Sequence, residues 1–230
     1  MVIKAVFFDL YETLITEWEE GMKKAAYSTE SLGLDKNIFK IEWDLRRERR
    51  MNGTFPDHQS VLSDILRSQG IKPNLEAIDH VHEERLIVKT IPFQEMDPHV
   101  LGLLRTLRTK GLKLGLISNA AAEEVHAWEM CELADYFDEV VFSYEARVAK
   151  PQKEIYQMAC EKLGVTPQES VFIGDGGSDE LRGATEAGMT ALQAIWFLPP
   201  MISDRITGYP KLKKPQDLLE HEDIKSYTIA

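Results

Sequence analysis

Four short stretches of this chain carry residues able to do chemistry together. The apolar run "KAVFFDLYETL" (4–14) ends in Asp9, followed by Tyr11, Glu12 and Thr13; "LKLGLISN" (112–119) ends in Ser118 and Asn119. Lys150 stands before Pro151, and "ESVFIGDGGSDE" (169–180) closes on Asp175, Asp179 and Glu180 among glycines. A carboxylate can attack phosphorus and divide one hard displacement into two easier ones. Two anions need help to meet, and a hard divalent cation held by oxygen ligands supplies it. A lysine and a small hydroxyl can hold the remaining phosphoryl oxygens.

Each stretch also has an ordinary reading. A strand-end Asp commonly caps a turn, Ser-Asn commonly caps a helix, and a lone lysine is usually solvated. The functional reading therefore depends on whether the fold brings the four together.

The elements that must do so are visible as alternating patterns. The apolar runs at 3–10, 112–119, 138–143, 169–175 and 190–197 read as buried strands. Asp97-Pro98 opens a helix that stops at Gly111, and 153–164 has helical spacing with a terminal glycine. Thr166-Pro167-Gln168-Glu169 has capping-box spacing with room for one turn. Alternating helix and strand predicts an α/β fold, a three-layer Rossmann-like parallel sheet with helices on both faces.

Residues 17–89 differ, reading as four helical segments (17–33, 35–53, 57–70 and 74–90) separated by Gly33, Gly53 and Gly70. Four helices can bury a core of their own. The expected organisation is a core of residues 1–15 and 91–230 with a small all-helical cap domain, 16–90, spliced in. Parallel sheets bind ligands beyond the carboxyl ends of their strands, so an insert leaving strand one would overhang that edge as a lid.

Composition narrows the partners. With 27 Lys plus Arg against 38 Asp plus Glu the net charge is −11, which disfavours nucleic acid because such binding depends on cations neutralising phosphates. A small anionic substrate needs cations gathered locally. Cys131 and Cys160 suggest no disulfide framework, and no stretch approaches a membrane span, so the expectation is a cytoplasmic protein, monomer or homodimer, with no membrane partner.

The order Asp-x-x-x-Thr, apolar-Ser-Asn, Lys-Pro and Gly-Asp followed by acids resembles the haloacid dehalogenase superfamily of hydrolases over essentially the whole chain, with the insert matching its helical cap. The resemblance implies a magnesium-dependent hydrolase with Asp9 as nucleophile. It makes Ser118 and the Asn119 backbone amide phosphoryl-binding, Lys150 the neutralising lysine, and Asp175 a metal carboxylate. Asp179 and Glu180 compete for the remaining acidic position, Asp179 being the first choice.

Tyr11 departs from the pattern. Phosphatases of the superfamily usually carry an acid–base Asp there, whereas a phenol is a poor base at neutral pH. Tyrosine at this place resembles the L-2-haloacid dehalogenases, but those lack the metal carboxylate that Asp175 supplies here. The resemblance implies a metal contact through the Tyr11 backbone carbonyl, which the side chain does not alter. A phosphomonoesterase acting through an aspartyl-phosphate is the first reading; a dehalogenase-like hydrolase and a ligand-binding relative with catalysis lost are the alternatives.

In the insert, Trp43, Arg47 and Arg50 fall on one helical stripe, and an arginine fork there would pair with a substrate anion. A solvated helix face is the plainer explanation. The six histidines show no ligand-like spacing, and none is taken as functional.

Overall fold

The strand β1 (Ala5–Phe8) is buried along its whole length because helices cover both of its faces. Its side chains alternate between two clusters: Val6 and Phe8 join one, Ala5 and Phe7 the other. The computed structural model describes residues 2–225.

After β1 comes a short antiparallel hairpin, β2 (Trp18–Glu19) and β3 (Met22–Lys23). The helical insert follows as α1 (Lys36–Leu45), α2 (Arg47–Met51), α3 (His58–Ser68) and α4 (Leu75–Gln94). The core resumes with α5 (Pro98–Thr109), β4 (Lys113–Ser118), β5 (Glu139–Phe142), α6 (Ser143–Ala146) and α7 (Lys153–Leu163). It closes with β6 (Ser170–Gly174), α8 (Glu180–Ala187), β7 (Thr190–Ala194) and β8 (Lys211–Leu212).

The sheet order is β5-β4-β1-β6-β7-β8, and every pairing in it is parallel. The chain builds outward from β1 on one side and then returns to the other. The order thus reverses at β1, where a crevice opens at the carboxyl ends. Leu103, Leu104 and Leu107 of α5 cover one face, and Ile155, Tyr156 and Ala159 of α7 cover the other. A third cluster, including Leu32, Phe39, Leu62, Ile65, Ile78 and Val81, is the apolar interior of the helical cap region. Helix α4 belongs to both regions: Ile78 and Val81 pack in the cap, Phe93 in the core, and the helix runs unbroken through residue 90.

Two local expectations fail for physical reasons, and one strand was not expected at all. The helix expected over 17–33 is replaced by the hairpin, because Glu20 and Gly21 both take positive φ (48° and 81°), the two-residue turn that matches strand twist. The helix expected over 35–53 breaks at Arg46. There the backbone N–H of Arg46 donates to Trp43, while its guanidinium takes the Glu42 carbonyl and pairs with Asp64 on α3 at 2.7 Å. Strand β8 is too short to leave a pattern. Asp97 caps α5 as expected, accepting from the His99 N–H. Glu169 likewise accepts from the Thr166 N–H beside a single turn.

Candidate active site

Asp9 leaves β1 at the reversal of strand order, its N–H donating to the Ile173 carbonyl of β6 at 2.8 Å. Ser118 ends the neighbouring β4 and is buried. Lys150 reaches across from the loop before α7, 4 % exposed, and its ammonium contacts both Asp9 Oδ1 and Glu180 Oε2. Asn119 sets the position of that lysine. Its side-chain amide donates to the Lys150 carbonyl at 2.9 Å and its oxygen accepts from the Lys150 N–H at 2.8 Å. All four stretches meet in these contacts.

The segment leaving β6 adds a further carboxylate, Asp175. Carboxylate oxygens of Asp9, Asp175 and Glu180 all lie within 4.8 Å of one another. Burial, and then the charge of Asp9, push Asp175 above the usual carboxylate range and Glu180 well above it. Burial alone would lower the Lys150 ammonium, but Asp9 and Glu180 outweigh it and hold the lysine charged. One ammonium among three carboxylates leaves an excess of hard oxygen donors, and this donor set fits magnesium.

Glu180, rather than Asp179, occupies the interior. Ser178 and Asp179 both adopt left-handed backbone (φ 54° and 57°), which turns Asp179 outward to pair with Arg182 at 2.6 Å and starts α8 at Glu180. Glu180 Oε1 accepts from the Gly176 N–H at 3.0 Å. Gly174 makes the room: a Cβ there would stand 2.1 Å from Glu180 Oε1.

Tyr11 lies near Asp9 in sequence but its side chain points away from the cluster. Its hydroxyl donates to the Glu124 carbonyl at 2.5 Å, and Lys89 sits 4.8 Å from its ring centre. Burial, and then Glu124, push the phenol well above its ordinary value. It enters a seam of buried charge between α4 and the turn after β4. There Arg85 donates to Glu123 (3.0 Å), Glu124 (2.7 Å) and Tyr27 (3.0 Å), and Lys89 pairs with Glu17 (2.7 Å). The sequence carried no signal for this seam, since its members lie far apart and match no motif.

The two arginines expected on one stripe separate. Arg47 reaches the loop after β6, donating to Ser178 Oγ at 3.2 Å. Arg50 is buried against the ring of Trp43, 3.9 Å from its centre, and its Nε has no hydrogen-bond partner among the described residues. Of the histidines, buried His58 faces His82 inside the cap, Nδ1 to Nδ1 at 3.2 Å.

A sequence model described as haloacid dehalogenase-like hydrolase matches residues 3–188. A glyceraldehyde 3-phosphate phosphatase from Methanothermobacter thermautotrophicus is 30% identical over 83% of this chain and 85% of its own length. The N-acylneuraminate-9-phosphatase of Homo sapiens is 27% identical, covering 90% of this chain and 89% of its own. Among solved structures, a 2-haloacid dehalogenase from Pseudomonas syringae superposes with a TM-score of 0.65 at 23% identity, covering 95% of this chain and 97% of the other, a likeness of fold.

Proposed function

Because the chain belongs to the haloacid dehalogenase-like hydrolase family, we propose that it is a magnesium-dependent phosphomonoesterase acting on a small phosphorylated metabolite through a phosphoryl group carried on Asp9. The observation that carries this reading is the convergence of Asp9, Asp175 and Glu180 within 4.8 Å. Relatives along most of the chain are phosphatases of small phosphorylated compounds, which supports the same class.

In this reading Asp9 attacks phosphorus, the bond to the ester oxygen breaks, and the alcohol leaves with a proton. Water then displaces the phosphoryl group from Asp9. Lys150 pairs with Asp9 and balances charge on the transferred oxygens; Ser118 and the Asn119 N–H bind those oxygens. Asp9, Asp175, Glu180 and the Tyr11 carbonyl would hold magnesium, whose charge lets two anions approach. The Tyr11 hydroxyl serves the seam, so the departing alkoxide is protonated from water and substrates with good leaving groups are favoured. The insert from about residue 16 to 90 acts as the lid, with Arg47 at the rim and Arg50 behind it.

A second reading, halide displacement from carbon, draws on Tyr11. Asp175 and Glu180 weigh against it, since three carboxylates with only the Lys150 ammonium among them would repel without a further cation. Magnesium-dependent phosphate release from an aryl phosphate, abolished in Asp9→Asn, is the expected result. Halide release from 2-chloropropionate persisting in EDTA would replace the proposal with the second reading.

A further inference from the structure

A cavity of about 500 Å³ abuts the carboxylate cluster, with Asp175 in its wall. Its size falls within the roughly 300–1,000 Å³ of ordinary small-molecule sites. Besides Glu12 of the Asp9 loop, the remaining walls come from two segments with no motif. Trp18 stands on the hairpin, and Trp196, Phe197 and Ile202 belong to the stretch leaving β7. Trp18 and Ile202 are 43% and 46% exposed, apolar surface turned toward an opening beside a charged centre.

The opposite wall is built rather than incidental. The Trp196 indole N–H donates to the Thr13 carbonyl at 2.9 Å, tying the aromatic wall to the loop that carries Asp9. Trp196 and Phe197 meet edge to face at 6.4 Å. Glu12, held in left-handed backbone at φ 57°, contributes a carboxylate whose oxygens accept from Thr16 Oγ1 and the Glu17 N–H. Glu20 adds another carboxylate, and no lysine or arginine lines the cavity among the described residues.

We propose that this cavity receives the organic part of the substrate, and that this part is a neutral, ring-bearing apolar group without negative charge of its own. The inference rests on the phosphohydrolase reading of the adjacent cluster. A phosphoryl group seated at Asp9 and Lys150 has Asp175 beside it, and beyond Asp175 lie aromatic faces that gain by covering a ring. A second anionic group placed there would meet Glu12 and Glu20 with no cation to pair with. The substrate is therefore a monophosphate with an apolar body rather than a bisphosphate or a phosphorylated acid.

The test uses the full chain with magnesium and substrates whose leaving groups are all primary alkoxides: benzyl phosphate, glycerol 1-phosphate and 2-phosphoglycolate. Benzyl phosphate should have a kcat/KM about tenfold or more above the others, the scale of burying one ring face. Trp18→Ala and Phe197→Ala should raise KM for benzyl phosphate about tenfold while leaving that for glycerol 1-phosphate within about twofold. Calorimetry on the wild type should find benzylphosphonate bound about tenfold tighter than methylphosphonate. A protein that turns over neither these esters nor an aryl phosphate but keeps the phosphonate preference refutes the phosphatase reading alone. Equal phosphonate affinities, or variants that shift both esters alike, overturn the cavity assignment.

Discussion

Replacing Glu124 by glutamine probes the buried seam that joins the cap region to the sheet. Glu124 accepts from Arg85 at 2.7 Å and from the Ala121 N–H at 3.0 Å, and stands 3.5 Å from the Lys89 ammonium. Burial would raise its carboxyl, but Lys89 and then Arg85 outweigh burial and bring it from 4.5 to about 2. At 1.36 kcal/mol per pH unit, that gap corresponds to roughly 3 kcal/mol favouring the folded, ionised form. Because the folded value is depressed, this contribution is complete above pH 4.5 and disappears as pH falls from 4.5 toward 2. Glutamine keeps the shape but leaves Arg85 and Lys89 short of charge in a buried place. Urea denaturation at pH 7 should show about 3 kcal/mol lost, and the melting temperature should fall by roughly 6–12 °C for a chain of this size. Between pH 4.5 and 2 the variant should lack the roughly 3 kcal/mol that Glu124 contributes to the wild type's acid sensitivity. A loss under about 0.5 kcal/mol with an unchanged acid profile would refute the claim that this seam holds the two regions together.

Further outcomes follow from the site and the cap. Glu180→Gln should raise the magnesium concentration for half-maximal activity about tenfold or more, whereas Asp179→Ala should leave it within about twofold because Asp179 faces Arg182; the reverse order would move the inner carboxylate to Asp179. Lys150→Met should lower kcat/KM about a hundredfold or more, and activity within a few-fold of wild type would remove Lys150 from the mechanism. Tyr11→Phe should cost about 1 kcal/mol of stability with kcat nearly unchanged, and a large fall in kcat would return the phenol to the chemistry. Burial, with Arg85 and His82 adding to it, holds His58 at about 2 instead of 6.5. The unfolded chain therefore takes a proton below pH 6.5 that the folded cap refuses, and stability should fall as pH drops from 6.5 to 5. In His58→Gln that slope should flatten, and an unchanged slope would place the acid sensitivity elsewhere.

What could be read from the sequence was whatever is local or periodic. Asp9, Ser118 and Asp175 were placed at one rim because apolar runs of strand length end there, and parallel strands in a helix-alternating chain share a carboxyl edge. Lys150, ordinary by itself, was singled out only by the family resemblance of its Lys-Pro. The choice between Asp179 and Glu180 was not accessible, since it is made by left-handed backbone at Ser178 and Asp179 in a glycine-rich turn. The room for Glu180 depends on Gly174, whose missing side chain is informative only once α8 is in place. Likewise, the 17–33 segment has helix-forming composition, yet Glu20-Gly21 turns it into a hairpin whose Trp18 then lines the cavity beside Asp175. Arg47 and Arg50 share a stripe on an ideal helix, but Arg46 interrupts that helix and sends one to the rim and the other into the cap interior.

The central claim, that Asp9 itself carries the transferred group, is open to direct trapping. The protein is mixed with magnesium and acetyl phosphate, quenched in acid within one turnover, digested, and the peptide spanning Asp9 weighed. The account predicts one added phosphoryl group on Asp9, absent without magnesium and absent in Asp9→Asn. Phosphate release at full rate with that peptide unmodified, or with the phosphoryl group on another residue, would contradict it.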